Sequence, residues 1–123
     1  MFVLLRGVRD EQRDRQRDRF GDLELRSERT GEQHVIALCG ELDLAGADQV
    51  TEELLRVEAT DACEIVVDLS ELRFIDSSGI RLIVEADGRS RADGNRSRLI
   101  RGPALVRRVF EIRGVTDRLP FAG

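Results

Sequence analysis

Ile65-Val66-Val67-Asp68-Leu69, followed shortly by Ile75-Asp76-Ser77-Ser78-Gly79 and the helix-patterned segment Ile80 to Ala86, is the stretch that decides how this chain folds. The first run is apolar on both faces apart from Asp68, as in a strand that is covered or lies between parallel neighbours. The second ends in a serine pair where a helix begins. A hydroxyl there faces unpaired backbone N–H groups and the positive end of the helix dipole. It can cap the helix, since Ser is a favoured N-cap, or it can carry a phosphate that the same N–H groups would receive. The residues alone do not choose between those two roles for Ser77 and Ser78.

On the N-terminal side, Leu23, Leu25 and then Ser27 alternate with charged residues, and Thr30-Gly31-Glu32 reads as a turn into His34-Val35-Ile36-Ala37-Leu38-Cys39. The pattern predicts a hairpin. After Gly40, residues Ala47, Val50, Leu54 and Val57 recur at helical spacing and predict an amphipathic helix over 46–58. On the C-terminal side a helix over 78–87 turns Ile80, Ile83 and Val84 inward, and Arg98-Leu99-Ile100 reads as a strand. Gly102-Pro103 opens a further helix bearing Leu105, Val106, Val109, Phe110 and Ile112, with Gly114 at its end. Val115 to Phe121 is expected to be extended or a short strand.

The order β-β-α-β-α-β-α predicts an α/β fold: a single domain with a mostly parallel mixed sheet of four to five strands, packed with helices, whose first strand is antiparallel. Loops 40–46, 70–77 and 101–103 should then leave the carboxyl ends of parallel strands along one sheet edge. Gly40-Glu41-Leu42-Asp43 and Asp76-Ser77-Ser78-Gly79 are therefore expected to be neighbours.

Composition narrows the function. The chain has 123 residues, enough for one self-sufficient core, and its five Phe with no Trp or Tyr make that core aliphatic. The lack of stacking residues and the net charge of −4 argue against nucleic-acid binding. All 20 basic residues are Arg. Met1-Phe2-Val3-Leu4-Leu5 is too short for a signal-peptide core and is followed at once by Arg6, and nothing downstream approaches a membrane span, so a cytoplasmic protein is expected. Cys39 and Cys63 form no CxxC pair and His34 stands alone, so no metal site is expected and both thiols read as core residues. Residues 6–19 carry six Arg and four acids with almost no apolar face, so residues 1–19 read as a charged leader, a tail or a frayed helix, ahead of a domain over 20–123.

Cys39-Gly40-Glu41-Leu42-Asp43, then Val67-Asp68-Leu69-Ser70 with Leu72, Phe74 and Ile75, then Asp76-Ser77-Ser78-Gly79-Ile80, in that order, resemble the STAS domain, and specifically the bacterial anti-sigma factor antagonists. The resemblance spans roughly residues 22–121. It implies that Ser77 is the phosphoacceptor of a serine-kinase anti-sigma factor with a histidine-kinase-like ATPase fold. Unphosphorylated, the chain would bind that kinase and free its sigma factor; phosphorylated, it would let go, and a phosphoserine phosphatase would reset it. By position Asp43 and Asp76 resemble the polar contacts beside the acceptor, and Ser78 with Gly79 shapes the turn. The expected partner-binding residues are Asp43, Leu44, Asp76, Ser78, Gly79 and Arg81. Arg81 and the Arg-rich leader depart from the family pattern. The resemblance further implies transcription regulation in a stress response by a monomer or weak dimer, with no cofactor, nucleic acid or membrane.

Two other functions and several plainer residue roles compete with this one. A serine hydrolase needs a glycine where Ile75 stands, and only His34 could act as its base, from the far end of its strand; no Walker loop is present, so no catalytic residue is expected. A STAS scaffold in a transporter or signalling assembly, never phosphorylated, is the alternative. Asp43 could simply start helix 46–58. Asp68 reads as a structural carboxylate bonded to nearby loop N–H groups, and His34 as an ordinary surface or hairpin residue.

Overall fold

The computed structural model describes residues 15–122. Alternating apolar residues in Leu23–Thr30 (β2) and Gln33–Leu42 (β3) build an antiparallel hairpin in which Leu25 faces Leu38 and Ser27 faces Ile36. Arg15–Phe20 (β1) adds antiparallel to the outer side of β2. The chain continues through Leu44–Glu58 (α1), Glu64–Ile75 (β4), Ser77–Ala92 (α2), Ser97–Ile100 (β5), Ala104–Ile112 (α3), a 3-10 turn over Thr116–Arg118 and Phe121–Ala122 (β6). The sheet order is β1-β2-β3-β4-β5-β6, parallel from β3 onward. The expected α/β architecture is what forms, with six strands where four to five were expected.

The core lies on one sheet face. Leu23 and Leu25, Ile36 and Leu38, Ile65, Val67 and Leu69, and Leu99 meet Val50, Leu54 and Val57 of α1, Ile80 and Ile83 of α2, and Val106 and Phe110 of α3 in one apolar cluster. Burying each such side chain contributes about 1.5–3 kcal/mol. No helix among the described residues is long and apolar enough to cross a membrane.

Several expectations need correction. Residues 15–19 are not leader but part of β1, because their polar side chains find partners across the ladder: Arg15 pairs with Glu28 at 2.9 Å and Arg17 with Glu24 at 3.1 Å. The rest of the expected leader, residues 1–14, lies outside the described residues. The loop expected over 70–77 is mostly strand. β4 stays paired to β3 as far as Ile75 by absorbing two register shifts, which bury Leu72 and Ile75 at a spacing of three instead of two. His34 is buried, its Nε2 2.6 Å from Ser27 Oγ, since even-numbered positions of β3 face the helices. Neither thiol is in the core: Cys63 is exposed between α1 and β4, and Cys39 is half-buried on the opposite sheet face from Leu38.

Candidate functional site

One aspartate separates each of two strands from the helix that follows: Asp43 stands between β3 and α1, and Asp76 between β4 and α2. Both have extended backbones, and both turn their carboxylates back onto the helix they start. Asp43 Oδ1 accepts from Ala45 N at 3.0 Å. Asp76 Oδ1 accepts from Ser78 N at 2.9 Å and Gly79 N at 3.1 Å. Such caps satisfy N–H groups that a helix start leaves unpaired and place negative charge at the positive end of its dipole.

The two starts are joined. Leu42 pairs with Ile75 at the last rung of the β3–β4 ladder, and Asp76 N donates to Leu42 O at 3.2 Å. The two motif segments therefore sit side by side at the carboxyl edge of the sheet, as expected. Gly40 helps to bring them there. Its φ is +100°, and a Cβ on it would stand 2.2 Å from Asp22 O, the carbonyl that accepts from Glu41 N. No other residue allows that turn in β3 without displacing the backbone.

Ser77 occupies the first position of α2 and is exposed. Its hydroxyl makes no hydrogen bond to a described residue, since Asp76 holds the cap. Of the two roles open to the serines, capping belongs to neither. Ser78 is half-buried behind Ser77. Gly79 is buried and offers no surface to a partner; it lets the first turn of α2 close onto Leu42 and Ile75. Arg81 is exposed one turn beyond Ser77 on the same helix face and makes no ion pair with a described residue. Leu44 projects beside Asp43 with 77% of its surface exposed.

Two apolar side chains at this edge were not among the expected site residues. Phe74 is 47% exposed at the end of β4, and Leu105 is 72% exposed in the first turn of α3, which starts from the same edge. Phe74 was legible, because it adjoins the inward Ile75 and so must face the other way. Leu44, Phe74 and Leu105 are thus apolar side chains exposed in segments that leave or start at the carboxyl ends of parallel strands, surface suited to docking.

Beneath the hairpin lies a second polar cluster. Burial pushes the Glu53 carboxyl up, but hydrogen bonds from Arg56 and Ser27 and attraction to Arg56 and His34 more than offset this, leaving it below the usual carboxylate range. On the outer sheet face Arg26 Nη2 lies 2.8 Å from Cys39 Sγ and 2.9 Å from Glu71 Oε1. Burial raises the Cys39 thiol above its ordinary value despite that guanidinium, so it is a poor nucleophile at neutral pH.

A family model described as "Mlab, STAS domain" matches residues 25–120. Among solved structures, the chain is similar to the anti-sigma factor antagonist SpoIIAA in its unphosphorylated form, at 28% identity and a TM-score of 0.67 over 80% of this chain and 88% of that one. The Bacillus cell fate determinant SpoIIAA in the phosphorylated form is similar at 27% identity and a TM-score of 0.62, over 80% and 91%. Osmosensory protein A of Mycobacterium tuberculosis is 33% identical over 75 residues, which make up 61% of this chain and 47% of that protein. The chain thus spans about half the length of that relative.

Proposed function

Because the chain belongs to the STAS domain family, we propose that it is an anti-sigma factor antagonist whose hold on a serine-kinase anti-sigma factor is set by phosphorylation of Ser77. The observation that carries this reading is the exposed Ser77 hydroxyl, left free at the start of α2 because Asp76 supplies the cap. Its likeness to an antagonist solved in both unphosphorylated and phosphorylated forms supports the reading.

The switch makes physical sense. A phosphate adds about −1.5 to −2 charges. At the start of α2 the helix dipole favours it by about 0.3–1 kcal/mol, and Arg81 one turn away offers a guanidinium that offsets repulsion from Asp43 and Asp76. The fold therefore tolerates the modification. Within a docked interface built on Leu44, Phe74 and Leu105, the same dianion is stripped of water next to two carboxylates, at a cost of several kcal/mol. Since about 1.4 kcal/mol is tenfold in affinity, binding is lost while the domain stays folded. A phosphoserine phosphatase would restore the binding form.

Incubation with candidate serine-kinase anti-sigma factors and ATP, read by intact mass, is expected to add one phosphate that Ser77→Ala abolishes. In pull-downs Ser77→Ala retains the kinase and Ser77→Asp loses it. Equal binding by both variants would overturn the switch and favour a STAS scaffold that is never phosphorylated.

A further inference from the structure

The last quarter of the described chain runs against the charge of the whole. Net charge is −4, yet residues 97–122 hold six arginines against two carboxylates. Every ion pair among the described residues joins groups at or before Arg96. The later arginines form no ion pair with a described carboxylate.

Two of them, Arg101 and Arg107, line a cleft of about 330 Å³ between the β5–β6 edge and α3, together with Glu111, Thr116, Asp117 and Phe121. Arg101 lies over the ring of Phe121, its Cζ 5.1 Å from the centroid. Phe121 is held edge-on against the buried Phe110, with centroids 5.4 Å apart, so this wall of the cleft is fixed. The Thr116 hydroxyl is buried and has no hydrogen-bond partner among the described residues, an uncommon state for a polar group withdrawn from water.

We propose that this cleft binds a small phosphate monoester with a hydroxylated body, such as a sugar phosphate. Guanidinium forks match phosphate oxygens in pairs, which suits Arg101 and Arg107. Thr116 Oγ1 is covered, and a change of its χ1 rotamer would let it donate to a phosphoryl oxygen. Glu111 and Asp117 repel the phosphate but accept hydrogen bonds from hydroxyl groups, so they orient the body away from the arginines. Phe121 gives the C–H face of that body an apolar wall. The volume sits at the small end of ligand clefts, which favours a metabolite-sized molecule over a polymer. None of these residues belongs to the Ser77 site, so the proposal stands or falls apart from the switch.

The test is titration of the full chain with ribose 5-phosphate, followed by amide NMR shifts, with ribose and inorganic phosphate as parallel arms. The ester is expected to give saturable shifts at Arg101, Thr116 and Phe121 with an affinity about tenfold or more above either arm. Arg107→Ala and Thr116→Val should each weaken it by about tenfold while the remaining spectrum is unchanged. Glu111→Gln should weaken the ester and spare inorganic phosphate. No saturable shift, an equal response to inorganic phosphate, or a response unaltered in Arg107→Ala would each overturn the proposal.

Discussion

Gly79 is packed so closely against Leu42 that a Cβ added to it would stand 2.9 Å from Leu42 Cγ, and 2.6 Å from Ile75 Cγ1 on the neighbouring strand. Leu42 and Ile75 are both buried, so neither can swing into solvent to make room. The first turn of α2 reaches its depth because position 79 has no side chain, and that depth sets the height of Ser77 above the sheet edge. Ala in place of Gly would favour the helix by about 1 kcal/mol, whereas overpacking costs about 1–3 kcal/mol. With two contacts under 3.0 Å to buried neighbours the overpacking cost falls in the upper part of that range, about 2–3 kcal/mol, so Gly79→Ala is expected to lose about 1–2 kcal/mol in urea unfolding. An unchanged midpoint would show that the strands yield freely.

The division of labour between adjacent residues is testable in the same assay. Asp76 alone supplies the side-chain cap of α2, with bonds to Ser78 N and Gly79 N, and Ser77 supplies none. Asp76→Ala is expected to cost about 0.5–2 kcal/mol, and Ser77→Ala to stay within about 0.5 kcal/mol of the parent. A larger loss from Ser77→Ala than from Asp76→Ala would mean that the serine, not the aspartate, closes the helix.

Much of this arrangement was legible from periodicity. The hairpin, the three helices and the adjacency of the two motif segments follow from apolar spacing and from the rule that parallel strands release their loops at one edge. What escaped had physical causes. β1 carries no apolar alternation, since it forms through backbone pairing and cross-strand ion pairs that local composition does not advertise. The extension of β4 depends on two register shifts, which break the period that would have announced it. His34 was misplaced although the pattern held the answer: it shares its parity with Ile36 and Leu38, and the strand turns all three inward. The same parity puts Cys39 on the outer face. At the site, residue type pointed to a serine at a helix start, but which side chain capped it was a matter of geometry.

His34 brings with it the buried cluster of Ser27, Glu53 and Arg56, which gives the domain a specific acid sensitivity. Arg56 holds the Glu53 carboxylate at 2.8 and 2.6 Å, and the carboxyl sits below its ordinary range despite burial. A carboxyl depressed on folding contributes stability above its unfolded value, about pH 4.3 for Glu, and that contribution is lost as pH falls through the folded value. Glu53→Gln keeps the shape and removes the charge that the Arg56 guanidinium faces, at a cost of about 1–3 kcal/mol near neutrality. Carboxylates elsewhere titrate alike in both proteins and cancel in the difference. The gap in unfolding free energy between parent and variant should therefore still be open at about pH 5, where His34 next to Glu53 is charged, and close below about pH 4. Urea unfolding at three pH values across that window measures it, and a gap as wide in acid as at neutrality would refute a carboxyl stabilised in its charged form.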